Sequence, residues 1–164
     1  MLELATCRMA PHHQIVPFQP RHLDAIEIKG FELDYVEAIP NYREYVIFNA
    51  QLDNSFTGIV RGKVILIFGV RSIWPGVAEL WMLPGAGIEK HTIAVVRGAR
   101  AVLDNVIEHL DIMRLQLTVH CQNDTAYKFA KALYFEEEAL LKHYGPEQAD
   151  YYLMARFSNV RTVR

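Results

Sequence analysis

Apolar and polar positions repeat along the chain with two different periods, and the switch between them outlines the elements. Val95, Val96, Ala99, Val102, Leu103, Val106, Ile107 and Leu110 fall on one stripe of a 3.6-residue repeat. Arg97, Arg100, Asp104 and Glu108 occupy the other side, so the spacing predicts a long amphipathic helix. Leu115, Leu117, Val119 and Cys121 then alternate with Gln116, Thr118 and His120, the period of a strand. Upstream, Phe56–Val60 and Val64–Val70 flank Arg61-Gly62-Lys63 and read as a tight hairpin. Trp74-Pro75-Gly76 makes a second turn, and Val77–Leu83 completes a three-strand antiparallel meander.

The remaining segments carry weaker patterns. Gln14–Gln19 reads as a short strand, and Pro20 suits the first turn of a helix with Leu23, Ile26 and Ile28 on its apolar face. Phe31–Ala38 reads as a second short helix, ending before Pro40. Asn41–Gln51 fits a helix end or a strand equally. Asn123 or Asp124 can cap a helix carrying Ala126, Phe129, Ala130 and Leu133. Glu138–Tyr144 and Asp150–Phe157 read as two closing strands around Gly145-Pro146. A strand–helix–strand unit after a meander gives an α/β (α+β mixed) sheet with one parallel step in a largely antiparallel layer.

Composition narrows the class. The chain has 164 residues, enough for one domain that buries its own core. The expected organisation is a single domain over 1–164, with short extensions at 1–13 and 158–164. Seventeen Lys and Arg against nineteen Asp and Glu leave a formal charge of −2, which gives no global attraction to phosphate backbones and no strong nucleic-acid signal. Glu3, Arg8, His12 and His13 interrupt any secretory-type apolar stretch, and no run approaches the length of a membrane span. The reading is a non-membrane, cytoplasmic protein. Cys7 and Cys121 are far apart, which suits free thiols, with Cys121 packed in the core. His12-His13 could contribute to a metal site only with further ligands, and no second cluster has that spacing. Glu136-Glu137-Glu138 reads as a solvated helix end, and Arg156, Arg161 and Arg164 make a basic tail.

The run Glu79–Pro84 (ELWMLP), the long helix after it, and Asn123-Asp124-Thr125-Ala126 leading to Phe129 and Phe135 resemble the GNAT superfamily of N-acetyltransferases. Asp150-Tyr151-Tyr152-Leu153-Met154 is similar to the family's final strand. The resemblance covers most of the chain and implies a GNAT-like fold: the meander, then helix–strand–helix, then two closing strands. It implies that main-chain groups of Trp81, Met82 and Leu83 would hold the pantetheine arm of acetyl-CoA. Lys90, His91 and Thr92 would lie in the phosphate turn, with Asn123 also on the cofactor side. Glu79 falls in the region of the family's general base, beside the plainer reading of an ion-paired strand glutamate. The sequence departs from the family twice. Lys90 and Thr92 stand where the phosphate loop has glycine, and Ala130 stands where many members carry an acidic tyrosine. Tyr127 and Tyr134 do not match that position, and Tyr134 stands where many members have glycine.

Ser55–Val60, Trp74–Met82 and Lys142–Met154 also resemble GNAT-like proteins of short-tailed bacteriophages. That resemblance, with the two departures, favours a virion or assembly component with lost or marginal catalysis. It places the protein in the host cytoplasm or the virion. Its partners would be other virion or assembly proteins, or further copies of itself, and no cofactor would be favoured over acetyl-CoA. The alternative is an acetyl-CoA-dependent N-acetyltransferase acting on an amine.

Overall fold

The computed structural model describes residues 12–50 and 52–158. Cys7, Arg161, Arg164 and most of the proposed extensions lie outside them. The elements run β1 (His13–Pro17), α1 (His22–Ala25), α2 (Phe31–Ala38), α3 (Tyr42–Asn49), β2 (Ser55–Val60), β3 (Lys63–Trp74) and β4 (Val77–Pro84). They continue with α4 (Thr92–His109), β5 (Arg114–His120), α5 (Asp124–Ala132), β6 (Glu136–Leu141) and β7 (Tyr151–Phe157). The seven strands form one sheet in the order β1-β2-β3-β4-β5-β7-β6, and only the β4–β5 step is parallel. This is the mixed α/β sheet expected from the sequence. Among the described residues, no helix is long and apolar enough to cross a membrane.

The period-two alternation of the strands gives the sheet two covered faces. Leu66, Phe68, Val70, Ala78, Leu80, Leu115, Leu117 and Val119 pack with Val95, Ala99, Val102, Leu103 and Val106 of α4 and with Ala130 of α5. On the other face Val64, Ile67 and Leu83 meet Phe18, Ile26, Val46 and Ala50 from the segment holding α1–α3. Arg61 (φ 48°) and Gly62 (φ 79°) turn β2 into β3 with two positive-φ residues, the geometry that matches strand twist.

Several boundaries differ from the sequence expectation. Within Asn41–Gln51, Tyr42–Asn49 is a helix that starts from Asn41 in a left-handed conformation, and Gln51 lies outside the described residues. The helix expected after Pro20 is a single turn, since Ile26 is already extended and Ile28 lies beyond it. The strand expected at Glu138–Tyr144 begins earlier: Tyr134 (φ 72°) reverses the chain and Glu136 pairs with Ala155. Glu136-Glu137-Glu138 therefore sits on an edge strand rather than a helix end, where charge discourages pairing with another chain. Cys121 lies just past β5 and is partly exposed, not a core residue.

One polar contact is built into the second core. His22 is buried, and its Nδ1 accepts the Gln19 N–H at 3.2 Å and lies 2.8 Å from Thr57 Oγ1. Nδ1 is therefore the acceptor and the neutral ring carries its proton on Nε2. Burial, and secondarily Arg21, pull the His22 pKa below its ordinary 6.5. The unfolded chain then binds the proton more readily than the folded one. Folding stability is expected to be full above pH 6.5 and to fall as pH drops below it, levelling off beneath the folded pKa. Denaturant titrations at a series of pH values check this: the difference between wild type and His22→Gln should depend on pH only in that window.

Candidate functional site

The parallel pair β4–β5 holds together only at its beginning. Val77, Ala78 and Glu79 pair with Arg114, Leu115 and Gln116, and no pairing follows. β4 continues to Pro84 on β3, while β5 continues to His120 on β7. The strands thus part after Glu79, leaving the β4 main chain from Leu80 onward without a strand on its β5 side. Opening a sheet this way exposes main-chain donors and acceptors that must be met by something other than a strand.

The open end of the gap leads to the start of α4. Gly87 takes φ 95° with nothing within 4 Å of the position a side chain would occupy, and a 3-10 turn over Ile88–His91 then feeds Thr92 into the helix. Lys90 and His91 lie in this turn, and Thr92 is the first residue of α4. Lys90 and Thr92 are exposed, and the Thr92 hydroxyl donates to the Glu89 carbonyl at 3.1 Å. No side chain caps the 18-residue α4, and its first turn carries no acidic residue. Those properties leave the positive end of the helix open to an anion. His91 Nδ1 lies 3.2 Å from His13 Nε2, which ties β1 to the turn. Among the described residues no three His, Cys, Asp or Glu side chains form a metal-binding group.

Opposite α4, side chains of β3, β5, β7, α2 and α3 face the gap, a set termed the chamber. Glu79 of β4 lies directly across from Arg71 of β3 and is ion-paired with it. The second Arg71 nitrogen donates to Asn49 Oδ1 of α3 at 2.8 Å. The indole of Trp81 reaches back over Gly69 towards Ser55, so Trp81 offers the gap only its main chain. Met82 packs on the α4 side and Leu83 is fully buried in the second core, so they too contribute through the backbone. Across the gap, the ring of His120 stacks on Phe31 of α2 (4.8 Å) and meets Tyr151 of β7 edge-on (5.2 Å). Asn123 caps α5 by accepting the Ala126 N–H at 3.0 Å, and its amide donates to Glu32 of α2 at 3.4 Å. Asn123→Ala is expected to cost about 1 kcal/mol through loss of the cap, read from a denaturant midpoint.

The expected tyrosine acid is absent here too. Ala130 is buried in the core. Tyr127 donates to Glu137 at 3.0 Å and packs on Tyr152, so it faces β6 and β7 rather than the gap. Tyr134 is held beneath Arg100 and Arg156 in the left-handed turn. The Cys121 thiol is pushed up by burial and by Asp150, the reverse of what a nucleophile needs.

No family model matches the chain, and no curated protein matches it in sequence. Solved structures do match its shape. Ard1 from Thermoplasma volcanium superposes with a TM-score of 0.72 at 16% identity, over 90% of this chain and 99% of that one. This is the GNAT fold. A GNAT-family acetyltransferase from Bacillus anthracis gives 0.67 at 18% identity, over 90% of this chain and 96% of its own. RimL, an alpha-N-protein acetyltransferase solved in complex with coenzyme A, gives 0.68 at 13% identity, over 91% and 96%. Within the GNAT fold of this chain, the opened β4–β5 pair and the start of α4 bring Trp81, Met82, Leu83, Lys90, His91 and Thr92 to one side. Asn123 and Glu79 border the same gap. Sequence reading did not single out Glu32 or Phe31, which meet Asn123 and His120 from α2, a segment of weak period.

Proposed function

We propose that the protein is an N-acyltransferase that uses acetyl-CoA as donor and a primary amine as acceptor. The observation that carries this reading is the parting of β4 and β5 beside the uncapped start of α4, whose preceding turn holds Lys90 and His91 as well as Glu89. Together these supply main-chain partners for an amide-bearing arm and a positive end for its phosphates. The fit at α4 does not need the missing glycines. Gly87 supplies the left-handed turn, and Lys90 and Thr92 are exposed beside it. Lys90, His91 and Thr92 would meet the phosphates, main-chain groups of Trp81–Leu83 would hold the arm, and Asn123 would border it. Bound acetyl-CoA would supply a thioester carbonyl for the amine to attack.

The missing tyrosine is a modest loss. A thiol ionises near 8.5, so release as thiolate at neutral pH costs only about 2 kcal/mol relative to release as thiol. Water can deliver that proton after the C–S bond has broken. The assembly-component reading favoured by the sequence rested on the resemblance to bacteriophage proteins together with those two departures. With one met by Gly87 and the other modest, the transferase reading is the better supported. Incubation with acetyl-CoA and a panel of primary amines, following free thiol release, tests it: amine-dependent release is expected. Thiol release no faster than the uncatalysed control across the panel would contradict the reading.

A further inference from the structure

Two carboxylates border the chamber, and they are not equivalent. The charge of Glu79 is already met by the Arg71 guanidinium, which also braces Asn49. Glu32 is half-buried, accepts the neutral Asn123 amide at 3.4 Å and its own main-chain N–H, and is ion-paired with no cation among the described residues. Burial raises its pKa, which brings a carboxyl closer to the range useful for taking a proton near neutral pH.

The groups around Glu32 leave it the proton-accepting role. His120 Nδ1 accepts the Gln122 N–H at 3.1 Å, so the neutral ring presents an N–H, a donor, at Nε2. Burial raises Tyr42 to about 12, and it raises Tyr35 and Tyr151 as well, so these hydroxyls stay neutral. The Glu32 charge acts on both Tyr42 and Tyr151, which belong to two strings of rings. One string is Phe31–His120–Tyr151–Tyr144, with centroids 4.8, 5.2 and 5.5 Å apart. The other is Tyr35–Tyr42–Tyr45, at 6.2 and 6.4 Å. Asp34 also acts on Tyr151, and α2 carries no basic residue. Ring faces and carboxylates together suit an ammonium group attached to an apolar arm.

We propose that Glu32, rather than Glu79, receives the proton of the acceptor amine, and that the flanking rings hold that acceptor as an ammonium with an apolar arm. The proposal rests on the transferase reading. Glu32 takes one proton from the ammonium, giving neutral amine and carboxylic acid. The nitrogen lone pair forms the N–C bond at the thioester carbonyl, and the C–S bond breaks with its electron pair on sulfur. The nitrogen loses its second proton to water, the thiolate takes one up, and Glu32 returns its own to solvent. Glu79 acts as a positioning residue that holds Arg71 against α3.

The test compares wild type, Glu32→Gln and Glu79→Gln, with Glu37→Gln as control. Acetyl-CoA affinity is measured by calorimetry, and phenethylamine serves as acceptor probe with methylamine as its counterpart lacking the arm. Glu32→Gln is expected to leave acetyl-CoA affinity within twofold and to lower kcat/KM for phenethylamine by about 100-fold or more. It should also weaken phenethylamine binding, followed by NMR without acetyl-CoA, by about tenfold. Phenethylamine should be favoured over methylamine, and Glu37→Gln should match wild type. Full turnover in Glu32→Gln, or phenethylamine binding that ignores the substitution, would overturn the proposal while acetyl-CoA binding still stood. Wild type that fails to bind acetyl-CoA would instead overturn the transferase reading and the proton-transfer role with it.

Discussion

Phe135→Ala is expected to lower folding stability by about 3–5 kcal/mol. Phe135 is fully buried and follows the left-handed turn at Tyr134, entering the core shared by α4, α5 and the sheet. Truncation removes a large apolar surface from that core and leaves a cavity. The neighbours cannot easily fill it, because the chain on both sides is fixed. Leu133 and Phe135 amides are tied to the end of α5, and Glu136 is already paired with Ala155. Against a typical total of about 5–15 kcal/mol the loss is severe. A melting temperature lowered by roughly 10 °C checks it. A fall of only 2–3 °C would mean that the turn relaxes and the cavity closes.

Gly69→Val is also expected to destabilise the fold. Valine suits a strand better than glycine, a preference worth up to about 1 kcal/mol. Here the steric term opposes it. A Cβ at Gly69 would lie 2.4 Å from Ser55 Oγ and 2.8 Å from Trp81 Nε1, on a strand paired on both sides. Ser55 is buried, and the Trp81 indole N–H is buried without a hydrogen-bond partner, so neither group has room to withdraw. Overpacking of this kind costs about 1–3 kcal/mol, so the net effect is destabilising. The strain falls on β4 at Trp81, the strand that edges the gap, so acetyl-CoA affinity should fall with stability. Denaturant midpoints and a calorimetric titration of the variant measure both. A variant as stable as wild type, with unchanged affinity, would show that the indole is free to move.

The elements with strong period were legible from sequence, and the chamber was not. Leu115–Val119 alternates cleanly because its two faces meet different environments, α4 on one side and the gap on the other. The α4 stripe is long enough to fix its own phase. Helices α1–α3 are short and bury few side chains, so their order comes from contact with the sheet rather than from local pattern. The chamber depends on that contact. Glu32 meets Asn123 across 91 positions, and Phe31 meets His120 across a comparable span, distances over which period carries no information. Glu79 was found because it lies beside a recognisable strand end. That Arg71 occupies it could be read only once β3 and β4 were in register. The turn before α4 was legible only in part: Lys90 and Thr92 stand where the family pattern has glycine, while the left-handed conformation of Gly87 at the start of the turn appears only in the structure.

Isothermal titration of the wild-type protein with acetyl-CoA tests most directly whether the gap between β4 and β5, with the start of α4, binds the donor. Saturable binding at one site in the micromolar range, about −8 kcal/mol, is expected, whereas no heat of binding at millimolar acetyl-CoA would contradict it.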